Sequence, residues 1–220
     1  MNKFKTKIAV LAISFLSFAG IQTASAVEGL SIGAAMNYSG FMARGKETAT
    51  SSGNNIKTIT EEDGAFDADY ASVFVEYAVS DAVSVGLERH IDDITTPTNT
   101  NVRPDGTTNS VKATFKDHTT LYANINMPFN TYFKLGVSMV DIATQESLGT
   151  GGSYKDVDTT GITVGLGYQF NAANGMFIRT ELSAAEYDDV SANGVVDTDK
   201  EVTVSDMYGA SASLKIGKSF

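Results

Sequence analysis

Eight stretches of this chain alternate apolar residues with small or polar ones at a period of two, which restricts the fold to β-structure. Residues 160–170 show it most plainly. Thr160, Ile162, Val164, Leu166, Tyr168 and Phe170 interleave with Gly161, Thr163, Gly165, Gly167 and Gln169. Successive side chains of a strand point to opposite faces, so each stretch has one apolar face and one polar face. In the final stretch, 202–220, Tyr208, Ala210, Ala212, Leu214, Ile216 and Phe220 oppose Gly209, Ser211, Ser213, Lys215, Gly217 and Ser219. The polar face is too small and glycine-rich for the solvated side of a soluble sandwich. Lipid against one face and a narrow lumen against the other account for both halves of the pattern.

The remaining alternating stretches are 30–42, 66–77, 83–88, 111–127, 133–139 and 176–184. Short turns join them at 79–82, at Pro128-Phe129-Asn130 and at 171–175. Long polar segments lie between, at 44–64, 92–110, 143–157 and 186–201. The second of these holds Pro97 and the turn signal Pro104-Asp105-Gly106. Connections that alternate long and short over an even number of strands are those of an antiparallel up-and-down transmembrane β-barrel. The expected fold is therefore all-β and eight-stranded, with both termini on the short-turn, periplasmic side.

The N-terminus reads separately. Lys3, Lys5 and Lys7 precede an apolar run at 8–21, and small residues Ala24 and Ala26 precede Val27. This is the pattern of a cleaved signal peptide over 1–26, leaving a barrel domain over 27–220. No later stretch approaches the ~18 apolar residues of a spanning helix. A membrane protein without such helices must close its backbone hydrogen bonds in a barrel. The chain has no cysteine, which removes thiolate chemistry. Without the three leader lysines, 13 basic side chains face 26 acidic ones, a formal net charge of −13. That balance argues against a nucleic-acid partner. It is compatible with acidic outer loops that meet divalent cations among lipopolysaccharide phosphates.

Parity assigns further roles. Tyr77, Phe133, Tyr168, Phe170 and Phe220 fall at the short-turn ends, where aromatic rings form the girdle at a lipid–water boundary. Tyr38, Phe115 and Tyr208 are expected in a sparser outer belt. Glu76, Glu88, Lys116, Lys134, Arg179, Glu181 and Lys215 are expected to face the lumen. Eight strands leave an interior that side chains can fill, so these charges predict a salt-bridged plug. His90 and His118 read as rim residues, since their spacing fits no metal or hydrolase motif. Asp156 and Asp158, and likewise Asp197 and Asp199, lack the glycine and glutamate spacing of an EF-hand loop. Arg89 faces lipid by parity, which requires either a bulge in its strand or contact with outer-leaflet phosphates. Serine and aspartate are too plentiful for any catalytic triad to be singled out, and no cofactor or metal is expected.

The leader, the eight amphipathic stretches, the alternating connections and the terminal Phe220 together resemble the OmpA/OmpX-like small outer-membrane barrels over the whole mature chain. The resemblance implies a Gram-negative outer-membrane location, contact with outer-membrane lipids and lipopolysaccharide, and recognition of Phe220 by the barrel assembly machinery. It also implies a non-enzymatic structural, adhesion or surface-protection role, with any extracellular ligand bound at four long acidic loops. The alternatives are a narrow channel or carrier for small hydrophobic or polar solutes, and a lipid-modifying enzyme.

Overall fold

The computed structural model of the protein describes residues 28–50, 57–102, 106, 108–148, 152–196 and 198–220. The leader expected over 1–26 lies outside the described residues. Eight strands build the ring of the barrel: β1 (Leu30–Thr50), β2 (Lys57–Ala78), β3 (Val83–His90), β6 (Thr108–Met127), β7 (Thr131–Ser147), β8 (Val157–Asn171), β9 (Met176–Tyr187) and β11 (Lys200–Ser219). Each pairs antiparallel with the next. β1 then closes on β11, from Ser31 opposite Ser219 to Ala49 opposite Lys200. Closure leaves no sheet edge along this junction. Three short strands sit near the far end from the tight turns. β4 (Ile94–Thr95) and β5 (Asn99–Val102) pair with β6, and β10 (Val190–Asn193) pairs with β11.

The two ends of the barrel differ as the connection lengths predict. At the turn end, Phe129 and Asn130 adopt φ of 63° and 57° to reverse the chain between β6 and β7. At the opposite, hairpin end the strands run well past the stretches that alternate in sequence. Most of the segment expected as a loop at 44–64 is strand, because β1 continues to Thr50 and β2 starts at Lys57. Its polar composition reflects a solvated ladder. Arg44 pairs with Asp63 at 2.9 Å and Lys46 with Glu61 at 3.7 Å across the two strands. The hydrogen bond to Asp63, with the charges of Asp63 and Asp206, raises the Arg44 pKa above its ordinary value.

The two faces separate cleanly in the turn-end half. Val75, Leu87, Leu121, Val137, Ile162, Leu182 and Leu214 are exposed on the outside, while Ser39, Ser72, Ser138 and Phe177 are fully buried inside. Large apolar side chains thus ring the exterior, and the interior is polar with a few aromatic rings.

Two bulges invert this arrangement on β6 and β11 in the hairpin-end half. On β6, Asp117 and His118 stand opposite the single residue Val140 of β7, and Asp117 has φ of 52°. On β11, Asp206 and Met207 stand opposite the single residue Ala43 of β1, and Asp206 has φ of 51°. An extra residue shifts parity by one and turns every side chain beyond it to the other face. Aspartate tolerates this left-handed conformation better than most side chains. Beyond the bulges, Ala113 and Phe115 of β6 and Val204 of β11 therefore turn inward. Phe115, expected in an outer aromatic belt, faces the lumen for this reason.

Candidate functional site

The turn-end half of the lumen holds a compact ionic plug. Arg179 donates from Nη1 and Nη2 to the two carboxylate oxygens of Glu76, at 2.8 and 2.9 Å. Glu76 also accepts from Ser84 at 2.9 Å, Asn124 at 2.8 Å and Tyr122 at 3.2 Å. One layer away, Lys134 and Lys215 each lie between Glu88 and Glu181, with N–O distances of 2.7 to 3.1 Å. Ser72 donates to Glu88 and Tyr132 to Glu181, both at 2.7 Å. Three carboxylates thus face three cations, and all six groups are buried. Pairing plus full hydrogen bonding is what makes buried charge tolerable.

Aromatic rings complete the seal, and glycines on neighbouring strands make room for them. A Cβ on Gly33 would overlap Phe74, one on Gly86 would overlap Tyr122, one on Gly167 would overlap Tyr132, and one on Gly217 would overlap Phe177. Lys134 Nζ lies 4.3 Å from the centre of the Tyr122 ring, and the Arg179 guanidinium carbon lies 4.5 Å from that of Phe177. These are cation–π distances, so the rings hold the charges as well as fill space.

Above the plug the lumen changes character. A cavity of about 420 Å³ lies in the hairpin-end half, bordered by Phe41, Phe66, Ile94, Phe115, Ile142 and Met207. Phe66 stacks between Phe41 at 5.2 Å and Phe115 at 6.2 Å. The volume falls within the range of small-molecule pockets. Between chamber and plug lies a polar layer. His90 and His118 stack with ring centres 3.9 Å apart, Tyr70 packs on His90 at 4.1 Å, and His118 Nε2 is 2.8 Å from the Tyr187 hydroxyl.

The wall beside the chamber is incomplete. β2 pairs with β3 only from Ser72 to Ala78, and β4 and β5 pair with β6 instead of β2. Contacts that bridge this seam include three hydrogen bonds. The Ile91 amide donates to the Ala71 carbonyl at 2.9 Å, the Ala71 amide to Asp92 Oδ2 at 3.2 Å, and Asn99 Nδ2 to Glu62 Oε2 at 2.9 Å. Gly64, Ala65 and Phe66 line the chamber from one side of the seam, and Thr96, Pro97 and Thr98 from the other.

Of the seven charges expected in the lumen, the structure brings together Glu76, Glu88, Lys134, Arg179, Glu181 and Lys215. Lys116 departs from the expectation. It pairs in register with exposed Asp141 on the outer face, because the bulge at Asp117 inverts parity between it and Thr120. Arg89 does lie outside and 54% exposed, with no bulge in β3, and it pairs with Asp117. Tyr77, Tyr168 and Phe170 are exposed at the turn end, and Phe133 and Phe220 are half-buried there. The Phe220 amide donates to the Leu30 carbonyl at 2.9 Å, tying the last residue to β1. His90 and His118, read from sequence as rim residues, instead floor the chamber. Plain parity carried that signal, since His90 is in phase with Ser84 and Glu88 on β3 and His118 with Thr120 and Tyr122 on β6.

No family model and no curated protein sequence matches the chain. Among solved structures, the outer membrane protein OprG of Pseudomonas aeruginosa is similar over 89% of this chain and 98% of its own, with 12% identity and a TM-score of 0.59. The chain has the fold of the small eight-stranded outer-membrane β-barrels. Two further likenesses are looser. The outer membrane protein AlkL aligns over 90% of this chain and 93% of its own, at 13% identity and a TM-score of 0.45. The attachment invasion locus protein Ail of Yersinia pestis aligns over 86% and 99%, at 13% identity and a TM-score of 0.36. The resemblance to OmpA/OmpX-like small barrels holds at the level of this fold.

Proposed function

We propose that this barrel resides in a Gram-negative outer membrane and admits small apolar molecules to the chamber in its outer half, without catalysis. The supporting observation is the change of lumen character at the bulges, from a charge-compensated plug to a wall of phenylalanines and aliphatic side chains. A structural barrel has no need of a roomy apolar compartment over a sealed floor. The plug opposes passage along the axis, so the seam where β4 and β5 ladder to β6 and not to β2 is the way out, sideways into lipid. Both termini lie in the periplasm in this reading, beside the aromatic ring ends and short turns, with Phe220 available to the assembly machinery. The charged hairpins face outward among lipopolysaccharide phosphates.

The test is uptake. Cells carrying the protein take up an apolar probe such as naphthalene faster than cells without it, and chamber-filling Ala65→Trp or Ala113→Trp removes the gain. Equal uptake in all strains, with the variants inserted normally, rejects the reading. Lipid A composition is expected to be the same with and without the protein. A new lipid A species that depends on it would make the barrel an enzyme.

A further inference from the structure

The apolar chamber and a much smaller cavity beneath it share Phe41, His118 and Tyr187 as walls. The lower cavity measures about 50 Å³, and His90, Ser138, Thr163 and Ser211 also border it. Such a space holds one small polar group. Both imidazoles touch it, and each buries a Nδ1 atom that has no hydrogen-bond partner. A buried polar atom left unpaired forfeits its hydration with nothing in return. Two such atoms in stacked rings, at the meeting point of an apolar and a polar compartment, are poised for a group that enters from above.

We propose that the occupant of the chamber is a neutral amphiphile: an apolar chain or ring with one small hydrogen-bonding head, seated against His118, His90 and Tyr187. This rests on the chamber being a binding site, as proposed above. Three observations select the head. Its size is limited by the lower cavity, which excludes a sugar or a phosphate ester. Its charge is limited by the plug, where Glu76, Glu88 and Glu181 already balance Lys134, Arg179 and Lys215. An ionised head would arrive with no free counter-charge and would lose its hydration in an apolar compartment. Lys112 borders the chamber from an even position of β6, out of phase with the inward-facing Ala113 and Phe115. The type of head follows from the imidazoles. The Tyr187 hydroxyl can either donate to or accept from His118 Nε2, so both His118 tautomers are open, and a head-group hydroxyl, which both donates and accepts, satisfies Nδ1 in either.

Competition in lipid nanodiscs tests this. The full barrel is loaded with an apolar naphthylamine dye, and decane, decanol and sodium decanoate are added as competitors. Decanol is expected to displace the dye at roughly tenfold lower concentration than decane, as one net hydrogen bond allows. Decanoate is expected to be the weakest. His118→Phe and His90→Phe retain stacked rings without the nitrogens, and Tyr187→Phe retains the ring without the hydroxyl. In each variant the advantage of decanol over decane shrinks toward parity, and a heat-dependent gel shift confirms folding. An undiminished advantage in all three variants, or preference for decanoate, overturns the head-group assignment alone. Failure of all three competitors to displace the dye, or of the dye to bind, overturns both this assignment and the chamber as a binding site.

Discussion

Arg89 of β3 and Asp117 of β6 form an ion pair on the outer surface of the wall, and the backbone of Asp117 is in the left-handed region at φ 52°. The same combination recurs across the barrel, where Arg44 of β1 meets Asp206 of β11 at 3.1 Å and Asp206 has φ of 51°. Each bulge therefore presents its aspartate outward to an arginine on a neighbouring strand. A guanidinium on the outer wall of a barrel is otherwise unfavourable, by ~2–4 kcal/mol at the bilayer midplane and ~0–1 near the interfaces.

The pair separates two effects that substitution can measure. Asp117→Gly keeps the backbone free to adopt positive φ and removes only the charge, so a loss of about 1 kcal/mol or less is expected. Asp117→Val adds left-handed strain of ~1–3 kcal/mol. Urea unfolding from lipid vesicles should rank wild type above Gly above Val. Equal stability of the two variants would show that the bulge does not depend on this residue.

The plug predicts a larger effect. Glu88→Gln leaves Lys134 and Lys215 sharing one full carboxylate, and removal of one partner from a buried charge cluster costs ~3–5 kcal/mol. Adding Lys215→Met to Glu88→Gln restores charge balance and should recover part of that loss. The effect should persist at high salt, because buried pairs are poorly screened. A double variant no better than Glu88→Gln would mean that packing of the carboxylate, not its charge, dominates.

Glycine positions offer a contrast within one fold. A side chain at Gly167 collides with the Tyr132 ring, whereas a Cβ at Gly40 has open space around it. Gly167→Ala should lower folding yield, and Tyr132→Leu in the same chain should restore some of it. Gly40→Ala should be neutral or stabilising by ~0.4–1 kcal/mol, through the unfolded chain. Equal tolerance at both sites, read as the fraction of heat-shifted barrel, would refute the ring-in-notch packing.

The seam should exchange hydrogen. Between Thr58 and Ala68, alternate β2 amides face β1 and are laddered to it, while the others face the β4–β5 segment, beyond the β2–β3 ladder of Ser72–Ala78. These alternate amides should exchange much faster than those of β9, which is paired on both sides through Tyr187. Uniform protection along β2 would indicate a closed wall and remove the lateral exit.

Much of this architecture was legible in the sequence, because period-two alternation and connection lengths report directly on which face meets lipid. Val75, Leu121, Ile162 and Leu214 could be placed outside, and Glu76, Lys134, Arg179 and Lys215 inside, by parity alone. The hairpin-end half was not legible. On β6, odd positions are apolar from Val111 through Phe115 and again from Leu121 to Met127, which reads as one continuous outward face. With the extra residue at Asp117–His118 between them, an unbroken pattern in sequence becomes two opposite faces in space. β11 behaves alike, with Val202 and Val204 in phase with Tyr208 and Ala210 in sequence but separated by Asp206–Met207. Lys116 and Phe115 were misplaced for this reason, and the chamber was invisible. The hairpin-end strands were missed because a solvated ladder needs no apolar face to mark it.

The two extra residues also set a length. Sliding each by two places along its strand would deepen or shorten the apolar compartment by one rung while the wall kept its composition. Capacity in such a vessel is governed by spacing along the chain, so relatives with nearly identical linings can differ in how large a guest they admit.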